Sequence, residues 1–303
     1  KHWRIRNDYD AMIVGFPGWQ AMILARFLTR KKIIFNIFFS LYDAMALDRQ
    51  VVRPESLEAR YFWFLDWFSA KLADKLILDT DSQIDFFAKK FNIYRNKFKR
   101  IFIGASTDIF YPREVKNDAG KFSVVFFGSF IPGHGIGYII DSAKYLENKN
   151  IEVKLMGKGV GQEDAIEQVK MLNLKNVSFL GFVPQEEFNV EIARADVCLG
   201  SFGDVDRARR VIHNKIFECA AMAKPIITAD TPGIREFFND NDLKLVDIRD
   251  SKLLADAIVE LKDDLELRKS LAENCYKKII EKGTPKILGA QLIEIINSVV
   301  QEK

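Results

Sequence analysis

Short apolar runs recur along this chain, and between them apolar residues return every three or four positions. That alternation predicts parallel α/β architecture. In the first part, strands are expected at 11–16 (AMIVGF), 32–39 (KIIFNIFF), 75–80 (KLILDT) and 100–105 (RIFIGA), with helices near 19–30, 56–74 and 82–91. The segment 56–75 (SLEARYFWFLDWFSAKLADK) is apolar around much of its circumference, which predicts burial on more than one side or contact with lipid.

A polar stretch at 113–121 (REVKNDAGK) reads as an interdomain linker, and a second series begins after it. Strands are expected at 122–130, 151–159, 176–184, 196–202 and 225–229, with helices at 138–147, at 186–195 and around Lys215. Several of these strands close on a glycine, Gly128 and Gly157 among them. A glycine at the carboxyl end of a parallel strand lets a ligand approach the backbone, although each one alone also suits a plain turn.

Composition bounds the chemistry. At 303 residues and 48% hydrophobic content, a chain without long Pro, Gly or Ser tracts supports about two domains. No stretch approaches 18 uninterrupted apolar residues, and the first ten residues (KHWRIRNDYD) lack the apolar core of a secretion signal. Cys198, Cys219 and Cys275 are widely spaced and odd in number, which fits buried thiols in a reducing cytoplasm and offers no zinc pattern. The net charge of +3 is too small to imply nucleic acid. Its distribution is uneven: residues 1–118 hold 20 Lys and Arg against 14 Asp and Glu, together with all four tryptophans. A basic, aromatic half suits peripheral contact with an anionic membrane, and suits equally an ordinary aromatic core under solvated lysines.

The segment from Val211 to Glu236 says most about function. An apolar helical run carrying Lys215 and Glu218 is followed by a break at Lys224-Pro225, the strand IITA and a Pro-Gly turn. A helix beginning near His213 or Asn214 presents unpaired N–H groups and the positive end of its dipole, a site for phosphate, and Lys215 adds a full charge there. Glu218, three residues on, shares the face of Lys215 and can accept two hydrogen bonds from ribose hydroxyls. The pair also reads as an intrahelical ion pair needing no ligand.

The order and spacing of FIGASTDIFYP, FFGSF with GHG, LMGKG, VSFLGFVP, ADVCLGSF and NKIFECAAMAKPIITADTPG resemble glycosyltransferase family 4. The resemblance runs from about Ile101 to the C-terminus. It implies the B-type glycosyltransferase fold, two Rossmann-like domains facing a cleft: an acceptor domain at 1–118, apparently lacking its opening segment, a nucleotide-sugar domain at 119–283, and a terminal helix within 284–303 crossing back onto the first. It implies a retaining sugar transfer from a UDP- or GDP-sugar to a glycan or lipid-linked saccharide, in glycan, cell-surface polysaccharide or glycolipid synthesis. Lys215 and Glu218 would hold the donor's phosphates and ribose, and the backbone around Phe182 and Val183 would face the base. Gly128, Ser129, His134, Gly157, Asn214 and Ile216 complete the expected donor site. No metal or other cofactor is expected, and the location expected is cytoplasmic, with peripheral contact at the inner membrane face.

Three departures complicate that expectation. Arg210 stands eight residues before Glu218, where the family pattern has its first glutamate; Arg209 and Arg210, with Arg207, either supply charge for phosphate or form a solvated basic loop. Ser129 and His134 stand where relatives carry Arg and Lys, and His134 reads as a neutral donor to phosphate or as a surface residue. No histidine follows the 32–39 run, so Asp43 is the nearest catalytic candidate, Asp48 the next, with capping or turn formation the rival role for both. The missing glutamate also keeps open a non-catalytic nucleotide-sugar-binding or scaffold protein. A dehydrogenase reading fails on GHGIG, whose glycines have the wrong spacing.

Overall fold

The computed structural model describes residues 8–115 and 120–301, so the first ten residues of the sequence, Trp3 included, and the linker stretch lie partly outside the described residues. The chain divides into one unit built from the residues through Phe102 together with those from Lys286 onward, and a second running from Ile103 to Pro285.

The first unit alternates β1 (Ala11–Val14), α1 (Trp19–Leu28), β2 (Lys32–Asn36), α2 (Leu57–Leu72), β3 (Lys75–Leu78), α3 (Asp81–Phe91) and β4 (Phe98–Arg100). The strands are parallel in the order β1-β2-β3-β4. Side chains alternate across a strand, and here the alternation sorts two cores. Ile33, Phe35, Leu76 and Leu78 join the cluster formed with Met22, Leu65, Ile84 and Phe87. Ile34 and Ile77 point the other way, onto Val299 of the C-terminal helix (Pro285–Gln301), with Leu292, Ile295 and Ile296 beside them. Burial on both faces is why β2 and β3 read as continuous apolar runs.

One expectation needs correction. The fourth strand is Phe98–Arg100, displaced from 100–105; Ile101 still donates to Leu78 at 3.0 Å, but Gly104 at φ +67° turns the chain out of extended conformation. The helix α2 is covered over much of its circumference, with Phe62, Trp63 and Trp67 packed half-buried against the core on either side of a fully buried line. Ala59, Leu65, Asp66, Ser69 and Ala70 are buried, whereas Leu57, Tyr61 and Phe64 are exposed. Small residues on the fully buried line let α2 pack closely, Phe62, Trp63 and Trp67 cover the core beside it, and Tyr61 and Phe64 remain outside.

The second unit holds β5 (Phe122–Phe127), α4 (Ile136–Lys144), β6 (Ile151–Met156), α5 (Gln162–Met171), β7 (Val177–Gly181), α6 (Gln185–Arg194) and β8 (Val197–Leu199). It continues with α7 (Asp206–Arg210), α8 (Asn214–Ala221), β9 (Ile226–Ala229), α9 (Pro232–Arg235), β10 (Lys244–Val246), α10 (Ser251–Asp263) and α11 (Leu265–Lys282). Its parallel sheet is ordered β10-β9-β8-β5-β6-β7. The chain leaves β5 outward through β6 and β7, then returns to β8 on the opposite side. The reversal makes the carboxyl ends of β5 and β8 a topological switch point, where open sheets of this kind bind ligands. Residues 103–115 belong with this unit: Ala105 donates to the Gly283 carbonyl at 3.0 Å, Asn189 donates to the Ile109 carbonyl at 3.1 Å, and Phe110 packs on Phe188. The division therefore falls ahead of the polar stretch read as a linker. Short β10, with one buried residue in three, carried too little apolar signal to be assigned. Among the described residues, no helix is long and apolar enough to cross a membrane.

Asp66 is a buried acid that the aromatic pattern of α2 hid. It is 0% exposed, and its carboxylate accepts from Ser40 Oγ at 2.7 Å, the Leu41 N–H at 3.0 Å and the Tyr42 N–H at 2.9 Å. Those bonds fasten the loop after β2 ahead of a π-helical turn at Asp43–Asp48. Burial pushes the Asp66 carboxyl up to about 7, against the opposing effect of these donors. Between about pH 4 and pH 7 the folded chain keeps a proton on Asp66 that the unfolded chain has released. Its contribution to stability is therefore complete below 3.8 and fades as pH rises through about 7. Urea titrations should show wild type losing on the order of 2 kcal/mol more than Asp66→Asn between pH 5 and pH 8. Parallel pH profiles for the two proteins would refute this account.

Candidate functional site

The switch point is built from backbone outward. β5 is buried at all six positions and ends at Gly128, whose φ of +134° is open to glycine. The Gly128 N–H donates to the Met156 carbonyl at 3.0 Å, and the next strand end, Gly157, lies so close that an added Cβ would sit 2.0 Å from the Gly128 oxygen. Neither position tolerates a side chain. The result is a bare backbone ledge across the ends of β5 and β6.

Helix α8 faces that ledge. His213 is its N-cap, no side chain caps its first turn, and Ile216 N–H donates to the His213 carbonyl at 2.9 Å. The helix is amphipathic: Ile216, Phe217, Cys219 and Ala220 are buried, and Asn214 is exposed. Lys215 lies on the buried side, 4% exposed, and among the described residues its Nζ has no hydrogen-bond partner. That nitrogen stands 3.8 Å from the ring centroid of Phe126 and 3.1 Å from where a Gly128 Cβ would be. A ring face offers weak compensation to an ammonium that has left water. Burial drives Lys215 well below the ordinary lysine value, with Cys219 and Glu218 opposing. Glu218, half-buried one turn on, is pushed by burial up to about 6 while Lys215 pulls it back. Glu218 and Lys215 thus lie on one helix face, as their spacing predicts, and the ammonium still lacks a hydrogen-bonding partner.

The turn after β5 closes the other side. Ser129 is exposed, and its carbonyl accepts a short hydrogen bond from His134 Nδ1. His134 is buried, against the surface alternative, because that bond folds the Pro132–His134 turn back over Phe126. Its ring meets the ring of His213 edge to face, centroids 5.0 Å apart. His213 was not among the expected site residues. Its one available sign was position, directly before Asn214 in a chain with 3 histidines. Burial first, then the charges of His134, Lys215 and Arg207, hold His213 well below the ordinary histidine value.

Other candidates fall elsewhere. Arg209 is exposed and pairs through Nε with Asp204 at 2.9 Å, and Asp204 also holds Arg249. Arg210 is half-buried, its backbone against Gly233. Phe182 is 78% exposed, and Val183 lines a groove of about 660 Å³ with Lys154, Leu180, Val190 and Arg194. A second groove of about 560 Å³ lies beside the turn after β5, between Phe130, Pro132, Tyr138, Asp141 and Val160. Asp43 belongs to the first unit, 1% exposed, its N–H donating to Ser40 Oγ at 3.0 Å. Asp48 closes the same turn and is equally buried. Both placements suit turn formation.

Residues 121–264 match the family described as Glycosyl transferases group 1. An alpha-D-kanosaminyltransferase from Streptomyces kanamyceticus is 24% identical over 181 residues, covering 58% of this chain and 45% of that protein. An uncharacterised glycosyltransferase of Methanocaldococcus jannaschii is 26% identical over 252 residues, covering 82% of this chain and 64% of its own length. The chain thus spans less than two thirds of either curated relative. The crystal structure of Anabaena HepE in complex with UDP superposes with a TM-score of 0.76 at 18% identity, covering 98% of this chain and 80% of that one. A HepE complex with UDP-glucose gives a TM-score of 0.73 at 17% identity and the same coverage. Strand order, the glycine ledge and these matches converge: this chain carries a group 1 glycosyltransferase segment, residues 121–264, within a B-type glycosyltransferase fold.

Proposed function

We propose that this protein transfers a sugar from a UDP- or GDP-sugar to a hydroxyl of a glycan or lipid-linked saccharide, with retention of anomeric configuration and without a divalent metal. The observation that carries this reading is the buried Lys215 ammonium, partnerless at Nζ and aimed at the Gly128 ledge one helical turn from Glu218. Burial disfavours the charged form of Lys215 and the half-buried Glu218 offsets this only in part, so a diphosphate would supply the charge that keeps the ammonium protonated. Lys215 and the N–H groups of the first turn of α8 would neutralise the departing diphosphate, the oxygen on which charge grows as the glycosidic bond breaks. Glu218 would accept from the ribose hydroxyls. HepE, of the same fold, has been crystallised with UDP and with UDP-glucose, which supports a uridine donor.

The first unit would take the acceptor. Its basic excess and the exposed Phe27, Leu57, Tyr61 and Phe64 support peripheral contact with an anionic membrane on the cytoplasmic side. Asp43 receives no catalytic part, being inside its turn. Arg210 at the position of the first family glutamate favours a second reading, a nucleotide-sugar-binding protein without turnover. A transfer and hydrolysis assay with UDP- and GDP-sugars separates the two. Released nucleoside diphosphate supports the enzyme, and saturable binding with no turnover supports the second reading.

Two substitutions test the site. Lys215→Met should weaken UDP binding by about 1.5–3 kcal/mol, the worth of a charge-assisted hydrogen bond. The same change should leave the ligand-free melting temperature unchanged or higher, because it removes a desolvated amine. Calorimetry and thermal melts check both, and a destabilised variant with normal affinity would make Lys215 a structural residue. Glu218→Gln should weaken nucleoside diphosphate binding and spare inorganic pyrophosphate, which has no ribose. Equal losses for both ligands, measured by competition, would remove the ribose role.

A further inference from the structure

Of the two histidines at the switch point the sequence singles out His134 alone, and the structure sets His213 against it. His134 Nδ1 faces the Ser129 carbonyl, which can only accept, so that nitrogen carries the proton. Nε2 is then the nitrogen whose proton count can change. His213 caps α8 and packs edge to face on His134, with the buried Lys215 two residues further on. The charged and titratable groups acting on this cluster are His134 on the turn after β5, Arg207 on α7, and Lys215, Glu218 and Cys219 on α8. His134, His213, Arg207 and Lys215 are all cationic when protonated, and among the groups acting on His213 and Lys215 Glu218 alone supplies a carboxylate. Crowded cations out of water shed protons until an anion arrives.

We propose that His213, with His134 and Lys215, forms a proton-accepting cluster that becomes charged when the donor's diphosphate binds, so that donor binding draws protons from solvent. This rests on the nucleotide site proposed above and assigns His213 to it. The protonated rings supply the positive charge for which Ser129 and His134, in place of Arg and Lys, leave the loop short, and Arg209 is already engaged by Asp204. The depressed proton affinities of His213 and Lys215 in the ligand-free protein agree with this direction. Bringing an anion against them raises those affinities, and linkage converts the rise into proton uptake.

The test is titration calorimetry of the full chain with UDP, and in parallel GDP, at pH 8 in Tris and in HEPES. A diphosphate is fully ionised there, its last proton leaving near pH 6, so uptake reports on the protein. The observed enthalpy should change with buffer ionisation enthalpy by about one proton taken up per nucleotide. His213→Gln, and separately His134→Gln, should lower that number while circular dichroism stays unchanged. Binding with no uptake, or with release, overturns the cluster and leaves the nucleotide site standing. Uptake unchanged in both variants removes the histidines. No heat with either nucleotide sinks the nucleotide site and this inference together.

Discussion

An amine held out of water against a phenyl ring is the constraint around which the second unit is arranged. Leaving the Lys215 ammonium at 4% exposure without a partner is unfavourable, so the surroundings must fix it in place. They do so from three directions. Phe126 lies in the central strand β5, buried throughout; Ile216 and Phe217 anchor α8 in the core; and the Gly128 and Gly157 backbones lie so close that no side chain fits between them. Strain retained at one point and offset by packing elsewhere is the usual signature of a binding site.

Charge at this site is limited by what has already been spent in ion pairs. Arg209 and Arg249 share Asp204, and Arg235 is held by Asp230 and Asp240. These pairs stiffen the loops around the switch point without offering a cation to it. The His134–His213 contact stands where the loop is poor in permanent charge, and imidazoles differ from guanidinium in being able to switch theirs. The first unit handles acids by the same logic. Asp66 is buried and satisfied by three donors, and through them it fixes the loop after β2, where Phe38 adopts a left-handed φ of 66°.

Strands β2, β3, β5 and β6 were legible because burial on both faces makes a run apolar throughout, and α8 because its apolar stripe repeats at helical spacing. The weak elements were those whose stability comes from neighbours: β10, and the displaced β4, which ends where Gly104 turns the chain. The all-apolar look of α2 told that much of its circumference is covered, and not which residues lie deepest. Hydrophobicity of a sequence does not rank depth, and in α2 the deepest places went to Ala59, Leu65, Asp66, Ser69 and Ala70, with Phe62, Trp63 and Trp67 half-buried beside them and Tyr61 and Phe64 outside.

The sequence alone determined that parallel βα units repeat, that glycines close the strands, and that Lys215 and Glu218 share a helix face, because each follows from local periodicity and spacing. Tertiary structure decided that the ammonium is buried without a partner, that His134 turns inward to meet His213, and that Arg209 belongs to Asp204. The first two depend on residues far apart in the chain meeting at the ends of β5 and β8, whereas Arg209 and Asp204 are near neighbours whose pairing is fixed by the path of the chain between them. No local pattern encodes desolvation or the choice of ionic partner, since both are set by what the fold brings alongside.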